Sequence, residues 1–305
     1  MAPVNHALGF RCLNGGMEIV VDAPPDMALP LQQHPLHDAA LRMSGRRVRT
    51  LTARIGGRTV GHVSMSRGVL PVWSAIRGPV WGAAGDGERA DAMHRFARAG
   101  LRVVEADAPC RALPHAGFLA VTTPAHVAEL DLRPDPVVLR AALSGAWRTA
   151  LGHAERRGLR IGAEPFAGDA DHWLFAAVRR DAAGYRPVPA RITAALARAA
   201  PGAAELWCAR HGGDPVAAML ILRHGSVATY HTGWSGPEGR RVDAHRAILW
   251  AATRTLARDG VARLDLGAVD TVTAPGLARF KIGTGAALRA LGGGWIRIGR
   301  AGRAG

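Results

Sequence analysis

The sequence predicts an α+β protein made of two copies of one unit, in which helices pack on a mixed, mainly antiparallel sheet. Two short repeats, which occur in the same order about 160 residues apart, indicate the duplication. The pattern of apolar and turn residues predicts a hairpin, a helix and a strand in each copy. With 305 residues, of which 48% are hydrophobic and 21% charged, the chain is long enough for two domains with their own cores.

The first repeat is a pair of predicted β-hairpins. Residues 52–60 read TARIGGRTV, and residues 208–216 read CARHGGDPV, 156 positions later. In both segments an alternating strand meets a Gly-Gly turn and a second strand returns, which is the residue pattern of a hairpin.

The second repeat lies where a predicted helix ends and a strand begins. Residues 97–100 (ARAG) precede the predicted strand 101–105, and residues 257–260 (ARDG) precede the predicted strand 261–265. A glycine just past the last helical residue is the usual way for a helix to end. The two repeats together therefore predict that the copies share one topology.

Four further elements are predicted in the second copy, namely a strand over 226–234 and helices over 135–157, 171–182 and 189–199. The prolines near residue 134 place the predicted boundary between the copies there. The predicted organisation is an N-terminal extension (1–30), a first domain (31–134), a second, catalytic domain (135–298) and a basic tail (299–305).

The formal net charge of +15 at pH 7 has two readings. It favours a polyanionic partner, such as nucleic acid, a nucleotide-linked substrate or anionic lipid. Alternatively, it reflects only the Ala-, Gly- and Arg-rich composition, because 39 residues are Lys or Arg and Lys281 is the one lysine among them.

The remaining bulk features predict a soluble cytoplasmic protein with no integral membrane association. No apolar run approaches the ~18 residues that cross a bilayer, and the N-terminus lacks the pattern of a signal peptide. The three cysteines and 13 histidines form neither a disulfide framework nor a metal-binding motif, so we expect no metal.

Four segments carry a resemblance to a known family. Residues 264–267 (LDLG) are similar to its D-x-G strand end, and residues 276–285 (GLARFKIGTG) to its G-L-x-x-F-K-x-x-F-G segment, with Thr284 in place of the aromatic residue. Residues 77–80 (RGPV) and 147–158 match more weakly. Over about residues 30–298 the sequence resembles the Fem-like branch of the GNAT superfamily, which includes peptidoglycan-bridge peptidyltransferases and BioF2-like acetyltransferases.

The resemblance implies two tandem acyl-CoA N-acyltransferase-like domains, with the acyl donor held by the second. It implies transfer of an acyl or aminoacyl group to an amine by direct attack, with acyl-CoA or aminoacyl-tRNA as co-substrate and no bound cofactor. The acceptor is then an amine, with or without a phosphate group. Two alternatives stay open, a CoA-dependent N-acetyltransferase for small molecules and a non-catalytic GNAT scaffold that binds nucleic acid.

Three residues are candidates for catalysis. Lys281 lies in the most specific motif, where its ammonium would polarise the carbonyl or pair with a phosphate; otherwise it is a surface lysine. Asp265 would orient the amine or accept its proton, or it only binds turn amides beside Gly267. His231 has the chemistry of a base, although a single histidine in a strand is usually structural.

Other residues are candidates for binding. The loop 235–241, at a strand-to-helix turn, would cradle the phosphates of the donor, and strand alternation puts Tyr230 and Thr232 on one face and His231 and Gly233 on the other. Asp243 would cap the helix that follows. The predicted donor-binding residues are Tyr230, Trp234, Gly236, Gly239, Arg240, Arg241 and Phe280, and the predicted acceptor-binding residues are Arg148 and Tyr185.

Overall fold

The computed structural model of the chain describes residues 16–22, 25, 27–181 and 188–298 and divides into two units. The first unit contains the described residues up to Pro124 and those from Ala290 onward, and the second is Ala125–Arg289. The division differs from the predicted boundary near residue 134, because the strand His126–Asp131 pairs within the second sheet. The tail 299–305 and most of the predicted extension lie outside the described residues.

The first unit is a sheet with helices. Its strand order is β1-β2-β3-β4-β6-β15-β7, with β5 paired to β3. Among the described strands of this sheet, β4 and β6 are the one pair of parallel neighbours. The elements are a 3-10 turn Leu31–Gln33, helices α1 Pro35–Met43, α2 Asp86–Arg98 and α3 Ala112–His115, and strands β1 Glu18–Val21, β2 Arg47–Ile55, β3 Arg58–Arg67, β4 Trp73–Ile76, β5 Val80–Trp81, β6 Leu101–Ala106, β7 Leu119–Thr122 and β15 Gly293–Ile296.

The second unit repeats this plan with more helices. Its strand order is β14-β8-β13-β12-β11-β10-β9, and β12 and β13 are the parallel neighbours. The elements are helices α4 Pro136–Ala142, α5 Gly145–Glu155, α6 Trp173–Asp181, α7 Ala190–Ala199, α8 Pro237–Arg241, α9 Ala244–Arg258 and α10 Pro275–Ile282, and strands β8 His126–Asp131, β9 Arg160–Pro165, β10 Ala204–His211, β11 Asp214–His224, β12 Val227–Ser235, β13 Arg263–Val269 and β14 Ala287–Ala290.

The hairpin repeat is confirmed residue by residue. Each Gly-Gly turn has both glycines at positive φ, 55° and 81° at Gly56 and Gly57, and 61° and 100° at Gly212 and Gly213. Each hairpin also carries a bulge at the same place. The pairing skips Val60 in the first hairpin and Val216 in the second, and these residues are 156 positions apart. A shared irregularity of this kind is typical of related structures.

The helix-end repeat is confirmed too. Gly100 and Gly260 follow α2 and α9 with φ of 111° and 79°, a conformation that glycine adopts without steric cost. Each helix leads to a strand that runs parallel to an earlier strand of its own sheet, β6 beside β4 and β13 beside β12. The sequence did not indicate that the C-terminal strand β15 would pair with β6 in the first sheet.

Two helical predictions need correction. The helix predicted over 135–157 is two helices, because Ser144 caps α5 by accepting a hydrogen bond from the Trp147 amide at 3.3 Å. The loop predicted over 235–241 contains the one-turn helix α8, which begins at Pro237. Proline is common at the first position of a helix, where its missing N–H costs nothing.

Candidate active site

A wedge opens in the second sheet between the parallel strands β12 and β13. They pair only at Val227 with Arg263, Ala228 with Leu264 and Thr229 with Asp265. Beyond these pairs β12 continues along β11 to Ser235, while β13 continues along β8 to Val269. The two strands therefore separate at one end of the sheet.

A bulge in each strand accounts for the separation. The pairing of β11 with β12 skips His231, and the pairing of β13 with β8 has an extra residue between Asp265 and Ala268, where Gly267 has φ of 76°. Bulges bend a strand and re-aim its side chains, and they are common beside active sites. The bulge at His231 also means that the simple alternation predicted for residues 230–233 is wrong.

The first unit has no corresponding opening at its parallel pair, within the residues the structure describes. There β4 and β6 stay paired from Trp73 with Leu101 to Ile76 with Glu105. The Gly78 amide then donates to the Glu105 carbonyl at 3.1 Å, which extends the contact past the strand end. The equivalent place in the first sheet is therefore closed by backbone hydrogen bonds.

A cavity of about 930 Å³ occupies the wedge in the second unit. Its walls come from the separated ends of β12 and β13, from the start of α9 and from α10. The lining residues are Val178, Asp181, Tyr230, His231, Thr232, Gly233, Trp234, Ser235, Gly239, Arg240, Asp243, His245, Arg246, Leu266, Gly267, Ala268, Asp270, Thr273, Ala274, Gly276, Leu277, Ala278, Phe280 and Lys281.

Lys281 reaches the cavity from the last turn of α10. The residue is only 5% exposed, and its Nζ donates a hydrogen bond to the Ala268 carbonyl at 2.6 Å. Burial lowers the pKa of Lys281 to about 8, and the nearby Asp265 carboxylate acts in the opposite direction. The one lysine of the chain is thus a buried ammonium at the wedge and not a surface group.

Asp265 lies at the last position where β13 pairs with β12, and it is 2% exposed. Its Oδ1 accepts a hydrogen bond from the Gly267 amide at 2.7 Å, which holds the turn of the bulge. Asp265 is not among the lining residues, and its bond to the Gly267 amide is the contact that the structural alternative predicts; its role in orienting or deprotonating the amine stays a prediction. It acts on the site through its electrostatic interaction with Lys281.

Aromatic side chains form a second wall of the cavity. The Tyr230 hydroxyl and His245 Nε2 are 3.2 Å apart, and the His245 ring packs at 5.2 Å from the Phe280 ring. Burial lowers the pKa of His245 to about 4, and the neighbouring Arg246 guanidinium acts in the same direction. His245 is therefore neutral at neutral pH. His245 was not among the predicted site residues, because no sequence motif marks the start of α9.

His231 and Trp234, both predicted, also line the cavity but are held by neighbouring helices. His231 Nε2 and the Thr193 hydroxyl of α7 are 2.8 Å apart. Trp234 Nε1 donates to Asp181 at the end of α6, at 2.7 Å. Both side chains thus stand at the side of the cavity covered by the helices that precede the hairpin.

The predicted phosphate loop is only partly at the cavity. Arg240 and Gly239 line it, whereas Arg241 makes a two-bond ion pair with Glu238, each bond 2.7 Å long. Gly236, the N-cap residue just before α8, is buried, and its amide donates to the Val216 carbonyl at 3.0 Å. Arg240 is therefore the arginine of this loop that a ligand in the cavity would meet.

Asp243 does not cap α9 with its side chain as predicted. It has φ of 55°, and its carboxylate instead contacts His153 Nδ1 at 3.2 Å and Arg246 at 2.5 Å. Together with Asp181 and Asp270 it gives the cavity three carboxylates. The sequence did not predict a place at the cavity for any of the three, because they come from separate segments that only the fold brings together.

Of the two predicted acceptor residues, the structure describes Arg148, and this residue does not line the cavity. Arg148 on α5 donates to the Ala141 and Leu143 carbonyls at 2.8 and 2.6 Å, so its guanidinium satisfies the end of α4. Tyr185 lies outside the described residues. Arg148 is thus a helix-end contact in this structure, and its role in acceptor binding stays a prediction.

Comparisons with known proteins agree with this geometry. Residues 141–281 match the family model described as an acetyltransferase (GNAT) domain. The structure of FemX is similar with a TM-score of 0.72 and 14% identity, over 88% of this chain and 92% of FemX. No curated protein sequence matches the chain.

Two other solved structures have the same fold. A tandem GNAT protein from the clavulanic acid biosynthesis pathway is 14% identical with a TM-score of 0.52, over 95% of this chain and the whole of that chain. L-PGS from Bacillus licheniformis is 13% identical with a TM-score of 0.51, over 89% and 95% of the two chains. At such identities the likeness is one of fold.

The described residues include no helix that is long and apolar enough to cross a membrane. Nor do they include a group of three or more His, Cys, Asp or Glu side chains placed to hold a metal ion. The wedge and its cavity lie in the GNAT acetyltransferase domain, within a chain that has the fold of tandem GNAT proteins. Residues 141–281 are therefore similar to a GNAT acetyltransferase domain, and the chain as a whole has the fold of FemX and of a tandem GNAT protein.

Proposed function

We propose that the protein forms an amide bond by transferring an acyl or aminoacyl group from a donor in the wedge to an amine. The observation that carries this proposal is the buried Lys281 ammonium at the point where β12 and β13 separate. It supplies a positive charge beside an open sheet edge, inside a cavity large enough for two small reactants.

The open edge of β12 supports a donor with an extended, amide-containing arm. Beyond Tyr230 the strand has β11 on one side only, so the backbone groups on its other side face the wedge. Such an edge binds extended ligands by adding hydrogen bonds of the sheet type. The pantetheine arm of acyl-CoA has two amides and fits this requirement, and the chain end of an aminoacyl-tRNA offers hydroxyl and phosphate groups instead.

The chemistry needs a stabilised oxyanion more than it needs a strong base. When the amine attacks the carbonyl carbon, a C–N bond forms, the carbonyl oxygen becomes negative, and the C–S or C–O bond to the carrier then breaks. One N–H of Lys281 is used by Ala268, which leaves others for the developing charge. With a pKa of about 8, Lys281 is about nine-tenths protonated at pH 7.

The proton lost by the amine passes to the leaving group. Tyr230 is the residue we assign to this relay, because its hydroxyl lines the cavity and contacts the neutral His245. His245 stays uncharged and positions the phenol, which would give its own proton to the leaving sulfur or oxygen while it takes one from the attacking amine. His231 is a second candidate for the base, on the opposite side of the cavity.

A binding experiment distinguishes a CoA thioester from a tRNA ester as the donor. We expect acyl-CoA to slow hydrogen exchange of the amides of residues 230–235 and 266–268, because they would line the donor. The amides of β4 and β6, which are already paired, should not change and serve as the internal control. Each donor is then incubated with a mixture of amines, and amide products are identified by mass spectrometry.

Protection of the wedge by charged tRNA and not by acyl-CoA would assign the aminoacyl donor. Protection by acyl-CoA with a new amide product would assign the CoA-dependent reaction. If neither donor protects these amides, or if protection appears without any product from a wide set of amines, the proposal is wrong.

A further inference from the structure

One end of the first unit carries an exposed apolar loop. The loop between β3 and β4, residues 68–72, reads GVLPV, with Val69 fully exposed and Leu70 75% exposed. Met43, at the end of α1, is 54% exposed. Large apolar side chains that stand this far out at a loop tip gain nothing from the fold of the monomer.

Arginines surround this loop. The first residue of β2 pairs directly with the last residue of β3, which places Arg47 opposite Arg67 across the two strands. Like charges in such a pair destabilise a sheet, so the pairing is unfavourable for folding alone. Arg42 and Arg46, in the segment that leads into β2, are exposed and add to the same end.

Measured contacts tie the loop and the arginines into one surface. A Cβ at Gly68, the first residue of the loop, would lie 3.9 Å from Arg46 Cζ, so the guanidinium is next to the start of the loop. The Trp73 ring, which follows the loop, lies between two guanidiniums, with Arg49 at 5.0 Å and Arg67 at 4.9 Å from its centre. We call this set, Arg42, Met43, Arg46, Arg47, Arg49, Arg67, Val69, Leu70, Val72 and Trp73, the loop-end surface.

Among the described residues, little of the positive charge of the loop-end surface is neutralised, and the Arg42 guanidinium interacts electrostatically with the buried Asp38 carboxyl. Among the residues that the structure describes, none of its five arginines forms an ion pair, although arginines elsewhere in the chain do, such as Arg58 with Glu88 and Arg77 with Asp107. The Arg49 guanidinium donates only to the Ala99 carbonyl, at 3.0 Å. The surface therefore offers an apolar tip within a ring of unpaired positive charge.

We propose that the loop-end surface docks the protein on an anionic membrane surface, with Val69 and Leu70 inserted among the lipid chains and the arginines at the phosphate level. An anionic bilayer is complementary both to the apolar loop tip and to the arginines, because it buries apolar side chains and attracts clustered arginines. Trp73, half-buried beside the loop, has the amphipathic ring that favours the interface between them.

A nucleic acid is complementary to the arginines of this surface but not to its apolar loop tip. It would pair with the arginines, but it offers little to two exposed aliphatic side chains, and the Trp73 ring is already covered by guanidiniums. The loop-end surface is therefore assigned to lipid, and RNA becomes an outcome of the test.

The test is flotation of the full-length protein with vesicles of phosphatidylcholine alone or with about a third phosphatidylglycerol. We expect binding to the anionic vesicles only. The variant Val69→Ser/Leu70→Ser should bind the anionic vesicles with an affinity lower by about tenfold or more. The variant Arg46→Gln/Arg47→Gln should lose about fivefold for each arginine, and this part should shrink at high salt.

Two matched variants control for composition. Val137→Ser/Val138→Ser changes two exposed valines of α4, and Arg111→Gln/Arg160→Gln removes two exposed arginines for which no ion pair is found. Both should bind anionic vesicles like the wild type. Thermal melting of all four variants checks that each is folded.

Three results would overturn the proposal. The protein could fail to bind anionic vesicles at low salt, or the serine variant could bind them as the wild type does. In the third result, the protein binds single-stranded RNA more tightly than vesicles, and only the Arg46→Gln/Arg47→Gln variant loses RNA binding. The loop-end surface would then be a nucleic-acid site.

Discussion

Lys281 Nζ donates a 2.6 Å hydrogen bond to the carbonyl oxygen of Ala268, the residue that follows the bulge in β13. The bond fixes the ammonium beside the strand end where the sheet opens, and burial holds its pKa well below that of a free lysine. Burial of a charged group lowers the stability of the fold, so a buried ammonium beside a cavity indicates a functional role. The following predictions start from this pair.

The pKa of Lys281 can be measured directly, since the chain has one lysine. Labelling with ¹³Cε-lysine should give one resonance that titrates near pH 8 in the folded protein and near 10.5 after unfolding. In Asp265→Asn the folded value should move lower, because Asp265 raises it. A folded-state titration above 10 would show that the ammonium is solvated.

Replacing Lys281 should remove transition-state stabilisation. We expect Lys281→Met to lower kcat about 10²-fold or more, because a directed contact to the oxyanion is lost. Methionine keeps most of the volume of this buried side chain, so the melting temperature should change little. An unchanged kcat at saturating substrates would exclude Lys281 from the reaction.

The pH dependence of the rate should report the same group. With an acceptor amine whose pKa lies well below that of Lys281, kcat should be constant at neutral pH and fall as the pH rises through about 8. The sign follows because the protonated form is the active one, and it is lost on the alkaline side. In Lys281→Met the alkaline fall should be absent; if it persists, another group causes it.

The two arginines of α8 should behave differently. Arg240 lines the cavity, so Arg240→Ala should raise the KM of a phosphate-bearing donor about tenfold. Arg241 is bound to Glu238, so Arg241→Ala should leave that KM nearly unchanged and serves as the matched control. Equal effects of the two variants would contradict the assignment of Arg240 alone.

The close contact of α8 with β11 should make Gly239 intolerant of any side chain. A Cβ at Gly239 would lie 2.1 Å from the Val216 carbonyl oxygen, so Gly239→Ala should displace α8 and lower the melting temperature. Gly87 in α2 has open space around it, and Gly87→Ala should stabilise the protein by ~0.5–1 kcal/mol. Equal melting temperatures for the two variants would show that α8 does not pack as described.

The sequence by itself determined the duplicated architecture. Hairpins and helix ends depend on local conformations that few residues adopt, so the Gly-Gly turns and the glycines after α2 and α9 could be located without a structure. The motif around Lys281 was visible for the same reason. It is a run of adjacent residues, and its helix α10 is short and local.

Only the tertiary structure decided which residues meet. His245, Asp243 and Asp270 come from separate segments, and the sequence gives no sign that they share a cavity with Tyr230 and Lys281. Arg148 and Arg241 are arginines like Arg240, yet each is held by a partner that depends on packing. The opening between β12 and β13 also depends on tertiary structure. The two strands are separate segments of the chain, and the sequence does not indicate that their pairing stops at Thr229 and Asp265.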